Sequence, residues 1–192
     1  SESLDRYRKE MDTDYIDIFS LHEQESEYTL QGHQDAIEYF IKAKEKGYIR
    51  SFGISTHAVA AVNASLKHSE IQVIHPILNI QGLGIIDGKR DDMLKAINKA
   101  ASAGKGIYSM KPLGGGNLIK DKRACFDFVL KNPDIHSIAV GMQSVEEVIS
   151  NVLTFEGKET PENIKKALSE KRRKLLIDFW CIGCGSCSKK CT

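Results

Sequence analysis

The sequence predicts an α/β protein built on a parallel sheet. Five short β-rich runs alternate with stretches of helical spacing. They recur about every 20 to 35 residues, the length of a strand followed by a helix that returns the chain to the same end of a sheet. That recurrence suits both a (β/α)8 barrel and a doubly wound sheet. No G-x-G-x-x-G follows any run, so the common dinucleotide fingerprint of doubly wound folds is absent.

The β-rich runs are Tyr15–His22, Ile49–Ser55, Ile71–Asn79, Gly106–Pro112 and Ile135–Gly141. Between the first two, Ala36–Lys46 has helical spacing, with Ile37, Phe40, Ile41 and Ala43 or Lys44 on one face and Gly47 placed to cap its end. Asp92–Ala101 repeats the pattern and stops at Gly104. Ser144 and Glu147 form the signature of a capping box opening a further helix. Thr160-Pro161-Glu162 starts another, with proline expected at the first helical position. Cys125, in an apolar stretch, is expected on a buried helix face. From Ile164 to Trp180 a charged helix is expected; its basic run Lys171–Lys174 reads as a solvated face, because acidic residues precede it and Leu175, Leu176 and Ile177 follow.

Four cysteines close the chain: Cys181, Cys184, Cys187 and Cys191. Two-residue gaps followed by one of three match the run that wraps a [4Fe–4S] cluster in bacterial ferredoxins. Gly183 and Gly185 relax the backbone for that wrapping. A disulfide framework gives no reason for this spacing, and structural zinc takes two knuckles separated by a longer loop. Zinc and no metal stay open as alternatives. In two-cluster ferredoxins the fourth cysteine ligates the other cluster and proline follows it. Here Thr192 follows, and no second run is present. The quartet therefore reads as the first half of a two-cluster module, with a local cluster using Cys191 as the alternative.

Composition excludes several classes. Apolar residues make up 41% and charged residues 28%, as in ordinary globular domains. A net charge of +1 gives no grip on nucleic acid or an anionic membrane. No apolar run approaches the roughly eighteen residues of a membrane span, and no secretory signal opens the chain. With reduced cysteines, the expectation is a cytoplasmic protein whose native start lies before Ser1.

Four ordered segments resemble the aldo-keto reductases. Leu4-Asp-Arg-Tyr followed by Asp14–His22 resembles that family's fourth barrel strand, which ends in Leu-His. Lys46–Ser55 is similar to its fifth strand, Met110–Leu118 to the seventh strand and its loop, and Val140–Asn151 to the eighth strand and next helix. A subset of the family carries a ferredoxin-like C-terminal extension, which the closing cysteines resemble. The resemblance implies a partial (β/α)8 TIM barrel, strands four to eight, with the start of an iron–sulfur extension. Residues 1–157 would be the C-terminal part of the barrel, 158–180 a helical linker, and 181–192 a truncated ferredoxin-like cysteine motif.

It further implies reduction of a small carbonyl substrate by NAD(P)H. In the family a tyrosine gives the proton, assisted by a Lys–Asp pair, while a histidine hydrogen-bonds the carbonyl. Such groups stabilise or protonate the developing alkoxide. Only the histidine maps onto this chain, as His22; the others would lie on strands preceding Ser1, so the chain alone is expected to be inactive. Ser55 and Thr56 stand where the family uses Ser-Asn for the carboxamide. Pro112, Leu113, Gly114, Gly115 and Gly116 would let backbone approach a pyrophosphate. His75 stands near the position where relatives offer glutamine to the carboxamide, though Pro76 suggests a bend equally well. Asn151 matches the adenine contact, and Gly141, Ser144 and Glu147 lie in the segment that meets the 2′-phosphate in NADP-preferring members. A carboxylate there, without arginine, favours NAD over NADP, although Glu147 has a sufficient role in the capping box.

His33, His57, His68 and His136 are expected to be structural, and Asp14 and Asp17 to sit at the solvated start of their strand. A barrel needs eight strands to close, so five leave two open edges, and an incomplete barrel or self-association is expected. Two other functions stay open: an electron-transfer or partner-binding module on a barrel scaffold with a redox partner, and a non-redox scaffold holding zinc or nothing.

Overall fold

The computed structural model describes residues 2–170 and residue 184. It divides into two compact units, one ending at Gly141 and the other beginning at Met142.

The first unit is an all-parallel sheet of five strands: β1 (Ile16–Leu21), β2 (Ile49–Thr56), β3 (Val73–Pro76), β4 (Gly106–Met110) and β5 (Ser137–Ala139). Their spatial order is their chain order. A doubly wound sheet reverses direction at a switch point; this one never does, so it is an arc of a barrel. Six helices accompany it: α1 (Glu2–Glu10), α2 (Glu27–Gly32), α3 (Gln34–Glu45), α4 (Val59–Ala64), α5 (Arg90–Ser102) and α6 (Lys122–Leu130). The second unit contains α7 (Val145–Phe155) and α8 (Glu162–Glu170).

The two amphipathic helices expected from periodicity form and end as expected. Gly47 at φ +75° and Gly104 at φ +82° let Tyr48 and Lys105 donate back to the carbonyls of Ala43 and Ala100. Ser144 caps α7 by accepting the Glu147 N–H at 3.4 Å, but the Glu147 carboxylate takes the N–H of Gln143, one residue earlier than in a regular capping box. Pro161 stands just before α8 rather than at its first residue, and its carbonyl accepts the N–H of Lys165. The charged segment is helical to Glu170; its continuation lies outside the described residues. Cys125 is buried on α6, as expected.

The two faces of the sheet differ. Phe52, Ile54, Ile74 and Ile107 pack with Leu30, Ile37, Met93 and Ile97 into one buried cluster. Edge-to-face and tilted ring contacts run from Phe19 to Phe40 (5.1 Å) and from Phe40 to Phe52 (5.3 Å). On the alternate positions, Ser20, Gly53, Val73 and Gly106 form one row across four strands. A Cβ on Gly53 would stand 2.7 Å from Ser20 Oγ and 2.8 Å from the Val73 carbonyl. Small residues there allow the strands to curve closely. Ile18, on the same side of edge strand β1, is 43% exposed.

At the end where strands begin, His68 is clamped between two acids. Its Nε2 lies 3.1 Å from Glu27 on α2 and its Nδ1 3.0 Å from Glu70, with Lys67 also 3.4 Å from Glu27. Burial alone would push His68 down, but the two carboxylate hydrogen bonds outweigh it and hold its pKa above the ordinary value. The His68 hydrogen bond, opposed by burial and joined by Lys67, holds Glu27 below its ordinary value. An unfolded histidine titrates near ~6.5, so the His68 contribution is complete below that pH and lost as pH rises through the raised folded value. Glu27 runs the other way: its contribution is present above the unfolded carboxylate value and lost as pH falls through the lowered folded one. Urea unfolding across this range is expected to show wild type losing stability from mildly acid to mildly alkaline pH, while His68→Gln shows a flatter slope. An unchanged slope in that variant would rule out the clamp.

Candidate active site

Functional side chains gather where the strands end. Alternation along β1 and β2 brings His22, one residue past β1, beside Ser55. His22 Nδ1 lies 3.0 Å from Ser55 Oγ, and the His22 side chain is 88% exposed. Glu23 follows at φ +50°, a conformation L side chains adopt rarely. It turns the Glu23 N–H onto Ser55 Oγ (2.9 Å), and the next N–H, of Gln24, onto the Ser55 carbonyl (2.8 Å). Buried Gln24 locks the turn from within, donating to the His22 carbonyl at 3.0 Å.

Glu23 leads to a second imidazole. Its carboxylate lies 3.4 Å from His57 Nδ1, while Lys111 Nζ lies 3.0 Å from His57 Nε2. Lys111, just past β4, is also left-handed at φ +56°. Two backbone outliers thus aim side chains at one ring. Burial first, and the Lys111 charge second, push the His57 pKa down, against the pull of Glu23. A third imidazole, His75, stacks on Tyr108 with ring centroids 3.9 Å apart and donates through Nδ1 to the Tyr108 carbonyl, 2.6 Å away. A carbonyl only accepts, so His75 Nδ1 carries the proton. Burial again lowers this pKa, opposed by the carbonyl hydrogen bond.

The loop after β4 is closed by its own amides. Lys111 O accepts from Gly114, and Leu113 O accepts from both Gly116 and Leu118. Gly114, Gly115 and Gly116 all take positive φ, and a Cβ on Gly115 or Gly116 would meet nothing within 4 Å. Space above Gly115 is open to a ligand. The opposite loop is tied down by Asp87, whose carboxylate accepts the Val59 and Ala60 N–H groups at 2.7 and 2.8 Å.

The residues named from sequence divide accordingly. His22 and Ser55 are brought together. Thr56 is fully buried, and its hydroxyl is engaged with the Ala58 backbone N–H at 2.8 Å. Pro112 is buried, while Gly115 is exposed. Gly141 is exposed at the end of the first unit, while in the second Ser144 caps α7 and Asn151 lies within it. Cys184 is exposed; Cys181, Cys187 and Cys191 lie outside the described residues, among which no group of three or more metal-ligating side chains gathers. His33 bonds locally to the Thr29 carbonyl, and His136 Nδ1 accepts the N–H of Ile107 on β4, both structural fastenings. Asp17 pairs with Arg50 in solvent. Sequence reasoning missed Glu23 and Lys111 and discounted His57. A positive φ at a non-glycine residue leaves no local signal, although Glu23 adjoins the Leu-His motif and Lys111 lies in the Met110–Leu118 segment.

Known proteins share this fold. The model of the aldo/keto reductase family matches residues 1–127. The chain belongs to the aldo/keto reductase family. Among solved structures it is similar to a Pseudomonas aeruginosa protein assigned to the aldo-keto reductases (22% identity, TM-score 0.66, covering 80% of this chain and 56% of that one). It is also similar to an aldo-keto reductase from Bacillus halodurans in its holo form (19% identity, TM-score 0.64, 93% and 68%). An aldose reductase from Giardia lamblia matches at 15% identity and a TM-score of 0.58, covering 90% and 68%. The chain spans just over half the length of the Pseudomonas structure. At these identities the likeness shows the fold, a five-stranded part of the (β/α)8 barrel of aldo-keto reductases. No curated protein sequence matches the chain. Among the described residues no helix is long and apolar enough to cross a membrane.

Proposed function

We propose that this chain carries the carbonyl-binding and nicotinamide-binding part of an NAD(P)H-dependent carbonyl reductase. The observation that supports it most directly is His22, exposed at a strand's C-terminal end and fixed through Nδ1, in a family member whose fold places active sites at that end. Its free edge can meet a carbonyl oxygen. The lining fits a nicotinamide nucleotide: Ser55 and the His75–Tyr108 stack border the site, and the space above the exposed Gly115 admits a pyrophosphate without steric conflict. Pro112, Leu113 and Gly114 hold that loop's shape, and Thr56 keeps Ser55 in place through its own turn. Gly141, Ser144 and Asn151 are further proposed nucleotide contacts, with NAD favoured over NADP. When bound, the reduced nicotinamide would supply hydride, and His22 would orient the carbonyl.

The proton donor is proposed to lie outside this chain, as is a redox partner, and the open strand edges are proposed to favour self-association. The spacing of Cys181, Cys184, Cys187 and Cys191 supports a [4Fe–4S] cluster in the same protein. Titration of the chain with NADH, followed by nicotinamide fluorescence, tests the proposal. Saturable binding without aldehyde turnover is expected, weakened at least tenfold by Gly115→Val. Absence of binding to NADH and NADPH would reject the nicotinamide assignment, and turnover would reject the missing donor. Iron and sulfide analysis after anaerobic purification tests the cluster.

A further inference from the structure

We infer that Ser55 is a positioning residue that holds the neutral His22 imidazole with its proton on Nε2. A serine hydroxyl has one proton to give and two lone pairs. Ser55 Oγ has two partners among the described residues, the Glu23 N–H at 2.9 Å and His22 Nδ1 at 3.0 Å. The backbone N–H can only donate, so it occupies a lone pair. Were Nδ1–H also to donate, both partners would give protons to Oγ, and the hydroxyl proton of a residue only 6% exposed would have no acceptor. A desolvated donor without a partner is the costly arrangement. The satisfied one has Ser55 O–H donating to Nδ1, which leaves the ring proton on Nε2.

The surrounding groups leave that proton available. The Glu23 carboxylate is 3.8 Å from Nε2, beyond hydrogen-bond length. It is drawn instead to His57 Nδ1 at 3.4 Å. Lys111 fixes this second ring in the opposite sense: an ammonium can only donate, so His57 Nε2 accepts and Nδ1 bears the proton facing Glu23. Thus the nearer imidazole of Glu23 is His57, and among the described residues His22 has no hydrogen-bond partner for its Nε2–H on its exposed side. Backbone strain at Glu23 and Lys111 serves this arrangement, because each outlier aims one of the groups that set a tautomer.

The inference rests on the carbonyl-reductase proposal for its purpose but not for its test. Nitrogen-15 and carbon-13 histidine spectra of the full chain, with His22→Gln to identify the signals, read tautomer and acceptor state directly. In wild type His22 is expected as a single Nε2–H tautomer with Nδ1 in the hydrogen-bonded range. Ser55→Ala is expected to move Nδ1 to the free-acceptor value and to admit a detectable Nδ1–H population, with His75 signals unchanged as a folding control. Ser55→Thr is expected to restore the wild-type values. A predominant Nδ1–H form in wild type, or an identical Nδ1 shift in Ser55→Ala, would overturn the inference. Should Ser55→Ala fail to fold, the wild-type tautomer and the Ser55→Thr shift still decide it. A chain with the expected spectra that binds no nicotinamide would uphold Ser55 as the positioning residue and reject the reductase proposal alone.

Discussion

Gly53→Ala is expected to lower the stability of the chain by ~2–4 kcal/mol, the upper range for overpacking of a closed site. The added methyl would stand 2.8 Å from the Val73 carbonyl and 3.3 Å from Val73 Cβ. Ser20 Oγ, at 2.7 Å, can rotate aside, but a backbone carbonyl paired in the sheet cannot move without its strand. Strand β3 would have to shift away from β2 and draw β4 with it through the Val73–Gly106 and Ile74–Ile107 pairs. Urea unfolding of wild type and variant measures this loss, and a change under ~1 kcal/mol would show that the row is not sterically closed. The predicted displacement reaches Ser55, two residues further along the same strand face. Hydrogen exchange at the Gln24 amide, bonded to the Ser55 carbonyl, is therefore expected to accelerate in the same variant.

The second large effect lies on the other face of the same strand. Phe52→Ala is expected to cost ~3–5 kcal/mol, because truncating a buried phenylalanine loses its transfer energy and leaves a cavity. Phe52 is 1% exposed, and its ring meets Phe40 at 5.3 Å. Phe40 in turn meets Phe19 and Tyr39, so one truncation removes the support under a linked group of aromatic rings. Against a total stability of about 5–15 kcal/mol for an ordinary domain, such a loss leaves a large unfolded fraction. Thermal unfolding followed by far-ultraviolet dichroism would register it. A cost below ~2 kcal/mol would mean that α3 closes over the vacancy.

Gly53 and Phe52 also show what could be read in advance. Phe52 belongs to a run whose β character is evident from composition, and β1, β2 and β4 lie within a residue or two of the expected segments. The third and fifth runs are shorter as strands than the apolar stretches suggested: β3 covers Val73–Pro76 and β5 Ser137–Ala139. A strand ends where its neighbour stops offering hydrogen bonds, and that is a property of the pair. Helices α1 and α2 were not expected from spacing, and each buries a single leucine, Leu4 or Leu30. Too little apolar face exists there for a period to show. Helix α4 begins under the Asp87 carboxylate, 27 or 28 residues away, a cap no local window contains.

The site divides along the same line. His22 and Ser55 were legible because each stands at the end of a recognisable strand segment. That they touch depends on the register that sets Leu21 beside Ile54. His57 looked ordinary because its partners are Glu23 and Lys111, 34 and 54 residues away, both held in conformations that their side-chain types disfavour.

The amino-acid sequence by itself determined the alternation of strand and helix, the glycine caps and the cysteine spacing, because each is written in short stretches of chain, and the family resemblance, because four such stretches keep their order. Only the tertiary structure decided that the strands follow one another in unbroken order, that Gly53 is closed off by β3, and that three imidazoles and a serine gather at one end. Those outcomes depend on register between distant segments, and parallel strands acquire register only when the helices between them have packed.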